Sequence, residues 1–178
     1  MSTSDAARTI IGIDPGLAHT GWGILTFERS RLRYVSHGVI ATPAGLIHQE
    51  RLLMIHRALE EVLDAYGPSE AGMETLYFAK NVTSAMGVAE ARGVVTLSLA
   101  LRGIALGEFT PHAIKQAVVG VARADKAQVQ ESVRVLLGLT ERPKPDHAAD
   151  ALAAAIARAH TADVAAMAAA CQSARKRR

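Results

Sequence analysis

The sequence predicts an α/β fold: a mixed five-stranded sheet flanked by helices on both faces. Three observations carry this. The apolar run Ile10–Ile13 ends at Asp14 and a Pro15-Gly16 turn, as a buried strand does. After residue 45 the apolar spacing changes from strand-like runs to threes and fours. The order of elements is three strands, a helix, a strand, a helix, a strand, then helices. The chain of 178 residues suits one domain and shows no internal repeat or linker.

Taken in order, residues 1–8 are expected to be a flexible start. Thr9–Asp14, Thr20–Phe27 and Arg31–Thr42 form an antiparallel meander, with Glu28-Arg29-Ser30 at one turn. Leu52, Ile55, Leu59, Val62, Leu63 and Tyr66 lie on one face of a helix over Leu46–Tyr66, stopped by Gly67-Pro68. Glu70–Leu76 is a short strand holding a second interior acid, Glu74. Asn81–Leu101 reads as a helix, with Thr83 or Ser84 near its start and Gly103 near its end. Ile104–Thr110 is a strand, and Pro111–Val119 a brief helix closed by Gly120. Asp125 caps a further helix with apolar face Val129, Val133, Leu136 and Leu137, ended by Gly138. Pro143-Lys144-Pro145 is a rigid connector. The last helix, Asp146–His160, is alanine-rich and so able to pack closely on a sheet. Residues 9–161 are expected to form the domain. Residues 162–178 are an alanine-rich basic tail, either helical or disordered, and either plainly solvated or a salt-sensitive contact to phosphates.

Composition excludes several classes. Apolar residues make up 49%, enough for a real core, and the formal charge of +3 permits a nucleic-acid partner without demanding one. Cys171 is the sole cysteine, which rules out an internal disulfide and fits a reducing cytosol. No apolar run approaches the roughly 20 residues of a membrane span. The polar first residues lack the apolar core of a secretory signal. The expectation is a soluble cytoplasmic protein.

The chemistry is carried by carboxylates. Asp14 ends the first strand, where it either caps the turn or presents an acid at the sheet's edge. Glu74 lies on another strand; if the two are neighbours, both acids meet at one end of the sheet. In Asp146-His147-Ala148-Ala149-Asp150, His147 and Asp150 share a helix face, as do Asp146 and Asp150. Asp146 follows Pro145 and is explained as the helix N-cap. His147 then sits in the first turn, where the helix dipole disfavours an imidazolium and leaves the ring free to ligate. Asp14, Glu74, His147 and Asp150 therefore form an oxygen-rich cage suited to Mg²⁺ or Mn²⁺. A pair of such ions can activate water and stabilise a leaving oxygen in phosphodiester cleavage. The other histidines show no ligand spacing and receive no role.

Six segments, in order, carry a resemblance: Gly12-Ile13-Asp14-Pro15-Gly16; Glu74-Thr75-Leu76-Tyr77-Phe78-Ala79-Lys80-Asn81; Ala91-Arg92-Gly93-Val94; Lys115-Gln116-Ala117-Val118-Val119-Gly120; Lys126-Ala127-Gln128-Val129-Gln130; and His147-Ala148-Ala149-Asp150-Ala151-Leu152-Ala153. Over Ile10–His160 the chain resembles the RuvC-type Holliday junction resolvases, bacterial crossover junction endodeoxyribonucleases with a ribonuclease H-like fold. The resemblance implies that Asp14, Glu74 and Asp150 are metal-binding carboxylates. His147 stands where many members carry aspartate and others histidine; its nitrogen shifts the expected preference toward Mn²⁺. Tyr77 falls at a position of base stacking, while Phe78 reads as core. Lys115 and Lys126 match lysines near the scissile phosphate and along the DNA arms. Lys80, Asn81 and Arg92 are further candidates for backbone contact.

The resemblance also implies two Mg²⁺ per subunit, with Mn²⁺ able to substitute or preferred. It implies a homodimer making two symmetric nicks, and work in recombination and repair with RuvA and RuvB. Helix Asn81–Leu101, with Ala85, Met86, Val88 and Ala89, is the candidate dimer surface, although burial in the core predicts the same composition. Three rivals stand beside this reading: a relative that binds branched nucleic acid without cutting, an actin-like or sugar-kinase ATPase, and a nuclease for RNA–DNA hybrids. The chain is too short for the two lobes of the ATPase and has no second glycine-rich phosphate loop.

Overall fold

The computed structural model describes residues 7–76 and 82–175, with side chains for residues 7–76 and 85–161. Strands β1 (Arg8–Asp14), β2 (His19–Glu28) and β3 (Arg31–Ala41) form the antiparallel meander. The β2–β3 turn places Arg29 and Ser30 at positive φ, as a two-residue turn matched to strand twist requires. Helix α1 (His48–Tyr66) follows, then β4 (Glu70–Glu74), α2 (Val82–Leu101), β5 (Ala105–Phe109), α3 (Pro111–Val119), α4 (Lys126–Leu136) and α5 (Asp146–Arg175). The sheet order is β3-β2-β1-β4-β5, with β1, β4 and β5 parallel, so the mixed sheet expected from the sequence is present.

The period of two along each strand divides the core into two layers. Ile11, Ile13, Ile24, Ala71 and Met73 face α1 and α2. Ile10, Leu25, Phe27 and Phe109 face the other way, toward α3, α4 and α5. Between these lies a bed of glycines on the α5 side. A Cβ on Gly12 would stand 1.8 Å from the Ala151 carbonyl oxygen, on Gly72 2.3 Å from that of Ala154, and on Gly21 2.0 Å from that of His147. The α5 backbone thus rests directly on the sheet, with Ala148, Ala149 and residues 151–157 buried almost completely.

Some elements differ from expectation. Thr110, expected to end a strand, instead caps α3, whereas Asp125 caps α4 as expected, with a full capping box to Gln128. Leu136 is exposed rather than part of the α4 face, because Val129, Val133 and Leu137 already complete the buried stripe. α1 begins at His48, two residues late, and Ile47 before it offers no side-chain cap. β4 stops at Glu74 rather than Leu76. α5 runs on through the expected tail to Arg175. No helix among the described residues is long and apolar enough to cross a membrane.

Candidate metal centre

β1 and β4 are parallel neighbours in register Gly12↔Gly72 and Ile13↔Met73. Asp14 and Glu74 are the next residues of each strand, on the face shared by Gly12 and Gly72. Alternation therefore delivers both carboxylates to the side on which α5 lies, at one end of the sheet. Asp14 pairs with Gly21 of β2, and the missing Cβ of Gly21 admits the first turn of α5. His147 arrives there with its Nδ1 2.7 Å from Asp14 Oδ2. The carboxylate can only accept, so the imidazole Nδ1–H donates. The turn after Asp14 is closed by Thr20, whose hydroxyl donates to the Gly16 carbonyl at 2.8 Å; the Asp14 side chain instead bonds His147.

Electrostatics link the acids. The Glu74 carboxyl is pushed above the ordinary range by partial burial and by the charges of Asp14 and Asp150, with Lys115 pulling the other way. Asp150 is pushed up by burial, against the pull of Lys126. Burial is the larger cause in both, and the mutual repulsion of the acids adds to it, so these carboxyls lie close enough to feel one another's charge.

The N-cap reading of Asp146 is corrected. Asp146 is the first helical residue, and the Pro145 carbonyl accepts from Ala148 N at 2.9 Å. The Asp146 carboxylate is drawn to α4 instead, 3.0 Å from Lys126 Nζ and 3.0 Å from Gln130 Nε2. A carboxylate bond is charge-assisted in either place, but as the first helical residue Asp146 no longer stands at the N-cap position, and Lys126 and Gln130 supply its donors instead. Lys126 also reaches Asp150 at 3.3 Å. Lys115 and Lys126 line a hollow of about 220 Å³ beside Glu74 and Asp150, floored by Ile114 and Val129. Among the described residues, no three acids or histidines are closed around a single point; Asp14 is turned to His147, and Asp150 to Lys126. The donor set, three carboxylates and one imidazole, nevertheless fits a hard divalent cation that keeps several waters.

Arg92 serves the frame: it donates to the Glu74 carbonyl at 2.5 Å and to Glu108, tying β4 to β5. Tyr77, Phe78, Lys80 and Asn81 lie outside the described residues. Sequence reasoning missed His19, whose ring stacks on that of His147, and the glycine bed that seats α5. Neither was legible in the chain: Gly12, Gly21 and Gly23 show their role only once α5 lies across them, and the His19 contact joins residues 128 positions apart.

The raised carboxyls have a measurable consequence without metal. Their folded-state values exceed the unfolded ones, so between the two the native state holds more protons and stability falls as pH rises. Asp64, Glu131 and Asp146 are shifted down by their cationic partners and act below that window. In chelator, wild type is expected to melt higher at about pH 5 than at about pH 7, and Glu74→Gln to lose part of that difference while melting above wild type at about pH 7. A Glu74→Gln melt identical to wild type at both values contradicts this.

Residues 10–160 match the family model described as crossover junction endodeoxyribonuclease RuvC. The chain is 56% identical over 155 residues to the crossover junction endodeoxyribonuclease RuvC of Treponema denticola, covering 87% of each chain. It is 50% identical over 152 residues to that of Chloroflexus aurantiacus, covering 85% of this chain and 93% of the relative. Among solved structures it is similar to Thermus thermophilus RuvC in complex with a Holliday junction substrate, with TM-score 0.84 and 32% identity over 89% of this chain and 97% of the other.

Proposed function

The chain belongs to the RuvC family of crossover junction endodeoxyribonucleases, metal-dependent enzymes that resolve four-way DNA junctions, and on that premise we propose that Asp14, Glu74, His147 and Asp150 hold its divalent cations. The observation that carries this is their delivery to one end of the sheet by parallel strand alternation and the first turn of α5. Bound there, Mg²⁺ or Mn²⁺, two per subunit, would supply Lewis-acid activation of water and neutralise charge on the leaving oxygen. The imidazole of His147 tilts the preference toward Mn²⁺.

The protein's own groups do the rest. Lys115, in the hollow beside Glu74, offsets charge that develops on the phosphate. Lys126 holds Asp150 and Asp146 in place and presents its remaining donors to a DNA strand. Tyr77 stacks on bases at the junction centre, and Lys80 and Asn81 contact the backbone. The setting is the bacterial cytoplasm, with RuvA and RuvB as companions.

Two symmetric nicks require two copies, and α2 supports a homodimer. Met86, Leu97 and Leu101 are exposed on it, beside a groove lined by Ala89, Gly93, Thr96 and Ala100. Ala85, by contrast, is buried in the monomer.

The test is a labelled four-way junction set against linear duplex and RNA–DNA hybrid, each with Mg²⁺ and Mn²⁺. Paired nicks in strands of like polarity, in the junction alone, support the proposal. Binding without cleavage in either metal favours the non-cutting relative, and cleavage of hybrid alone overturns the substrate. Leu97→Asp is expected to convert the dimer to a monomer by light scattering and to uncouple the two nicks; an unchanged dimer removes α2 as the interface.

A further inference from the structure

We propose that His19 is a positioning residue that fixes the ring plane of His147. The inference rests on the reading of His147 as a metal ligand and extends it to a residue outside the acidic set.

His147 is constrained in three ways. Its backbone is seated on Gly21, where even an added methyl would meet the His147 carbonyl at 2.0 Å and its Cβ at 2.9 Å. Its Nδ1 edge is bonded to Asp14 Oδ2 at 2.7 Å. One hydrogen bond, however, leaves the ring free to pivot about the line joining donor and acceptor. The third constraint removes that freedom: the His19 ring lies nearly parallel to it, with centroids 5.6 Å apart and an interplanar angle of 12°. The free Nε2 edge is thereby held at one angle, and a ligand's supporting groups set its affinity as well as its geometry.

The backbone that carries His19 is fixed. His19 shares a strand face with Gly21 and Gly23, the face on which α5 lies. It pairs with Ala41 at the start of β2. Next to it, Thr20 is fully buried and bonded to Gly16, and Thr42 N donates to the Ala18 carbonyl at 3.0 Å. His19 is exposed, so it is not a core residue.

The experiment measures Mn²⁺ binding by the full-length, DNA-free protein, using wild type, His147→Ala, His19→Ala and His19→Phe. His19→Ala is expected to weaken Mn²⁺ binding about 10-fold, the lower end for loss of a group supporting a ligand. His19→Phe, which keeps a flat ring, is expected to restore it. All four are compared by melting in chelator to show equal folding. Imidazole nitrogen resonances supply a second readout: in metal-free His19→Ala, the His147 signals should lose the pattern of a single Nδ1–H tautomer and regain it in His19→Phe. Unchanged Mn²⁺ affinity in His19→Ala, or failure of phenylalanine to rescue, overturns the proposal while a weakened His147→Ala leaves the ligand reading standing. If His147→Ala binds Mn²⁺ as wild type does, the ligand reading fails and this inference falls with it.

Discussion

Asp14→Asn is expected to lower junction cleavage by at least about 10²–10³-fold, the scale of losing one preorganised group that stabilises a transition state, while junction affinity is unchanged. The substitution is nearly isosteric, and its side-chain oxygen can still accept from His147 Nδ1, 2.7 Å from Oδ2 in the wild type. The fold is therefore retained and the loss is one of charge. The same change removes one of the charges that raise Glu74. In metal-free protein the Glu74 carboxyl should move back toward its ordinary range, which carbon-detected titration reads directly. A variant that cuts at the wild-type rate in Mg²⁺ and Mn²⁺ sinks the assignment of Asp14. One that neither binds nor folds shows instead that the carboxylate is needed for structure.

Gly12→Ala is expected to destabilise the protein by about 3 kcal/mol, the upper part of the usual cost of overpacking, and so to lower the melting temperature by roughly 6–12 °C. The new methyl would sit 1.8 Å from the Ala151 carbonyl oxygen and 2.7 Å from Ala155 N. Both are helix backbone, which cannot rotate away, so α5 must lift or slide. Since α5 carries His147 and Asp150, cleavage should fall by more than the unfolded fraction accounts for. Gly45→Ala is the control: it adds the same methyl where nothing lies within 4 Å. Equal melting temperatures for the two variants would show that α5 is not seated on the strand as described.

The sequence by itself determined the elements and their order. Local rules governed them: the run ending at Asp14, the apolar spacing of α1, Asp125 as a cap, and glycines at positive φ after α1, α3 and α4. The same local rules raised Asp14, Glu74, His147 and Asp150 as candidates, because acids on buried strands and an acid and a histidine three apart on a helix are visible without coordinates, and the resemblance of six ordered segments made the set specific. Tertiary structure decided what those residues touch. Asp146 looked like a cap from its neighbours in sequence, but it is the first helical residue, and α4 supplies its donors, with Lys126 at 3.0 Å. His19 had no ligand spacing, since its partner His147 meets it only when α5 settles on β2. The glycines of β1, β2 and β4 carry no chemistry of their own. Their meaning appears only when a helix backbone is laid across them, because the absence of a side chain matters where another chain needs the space.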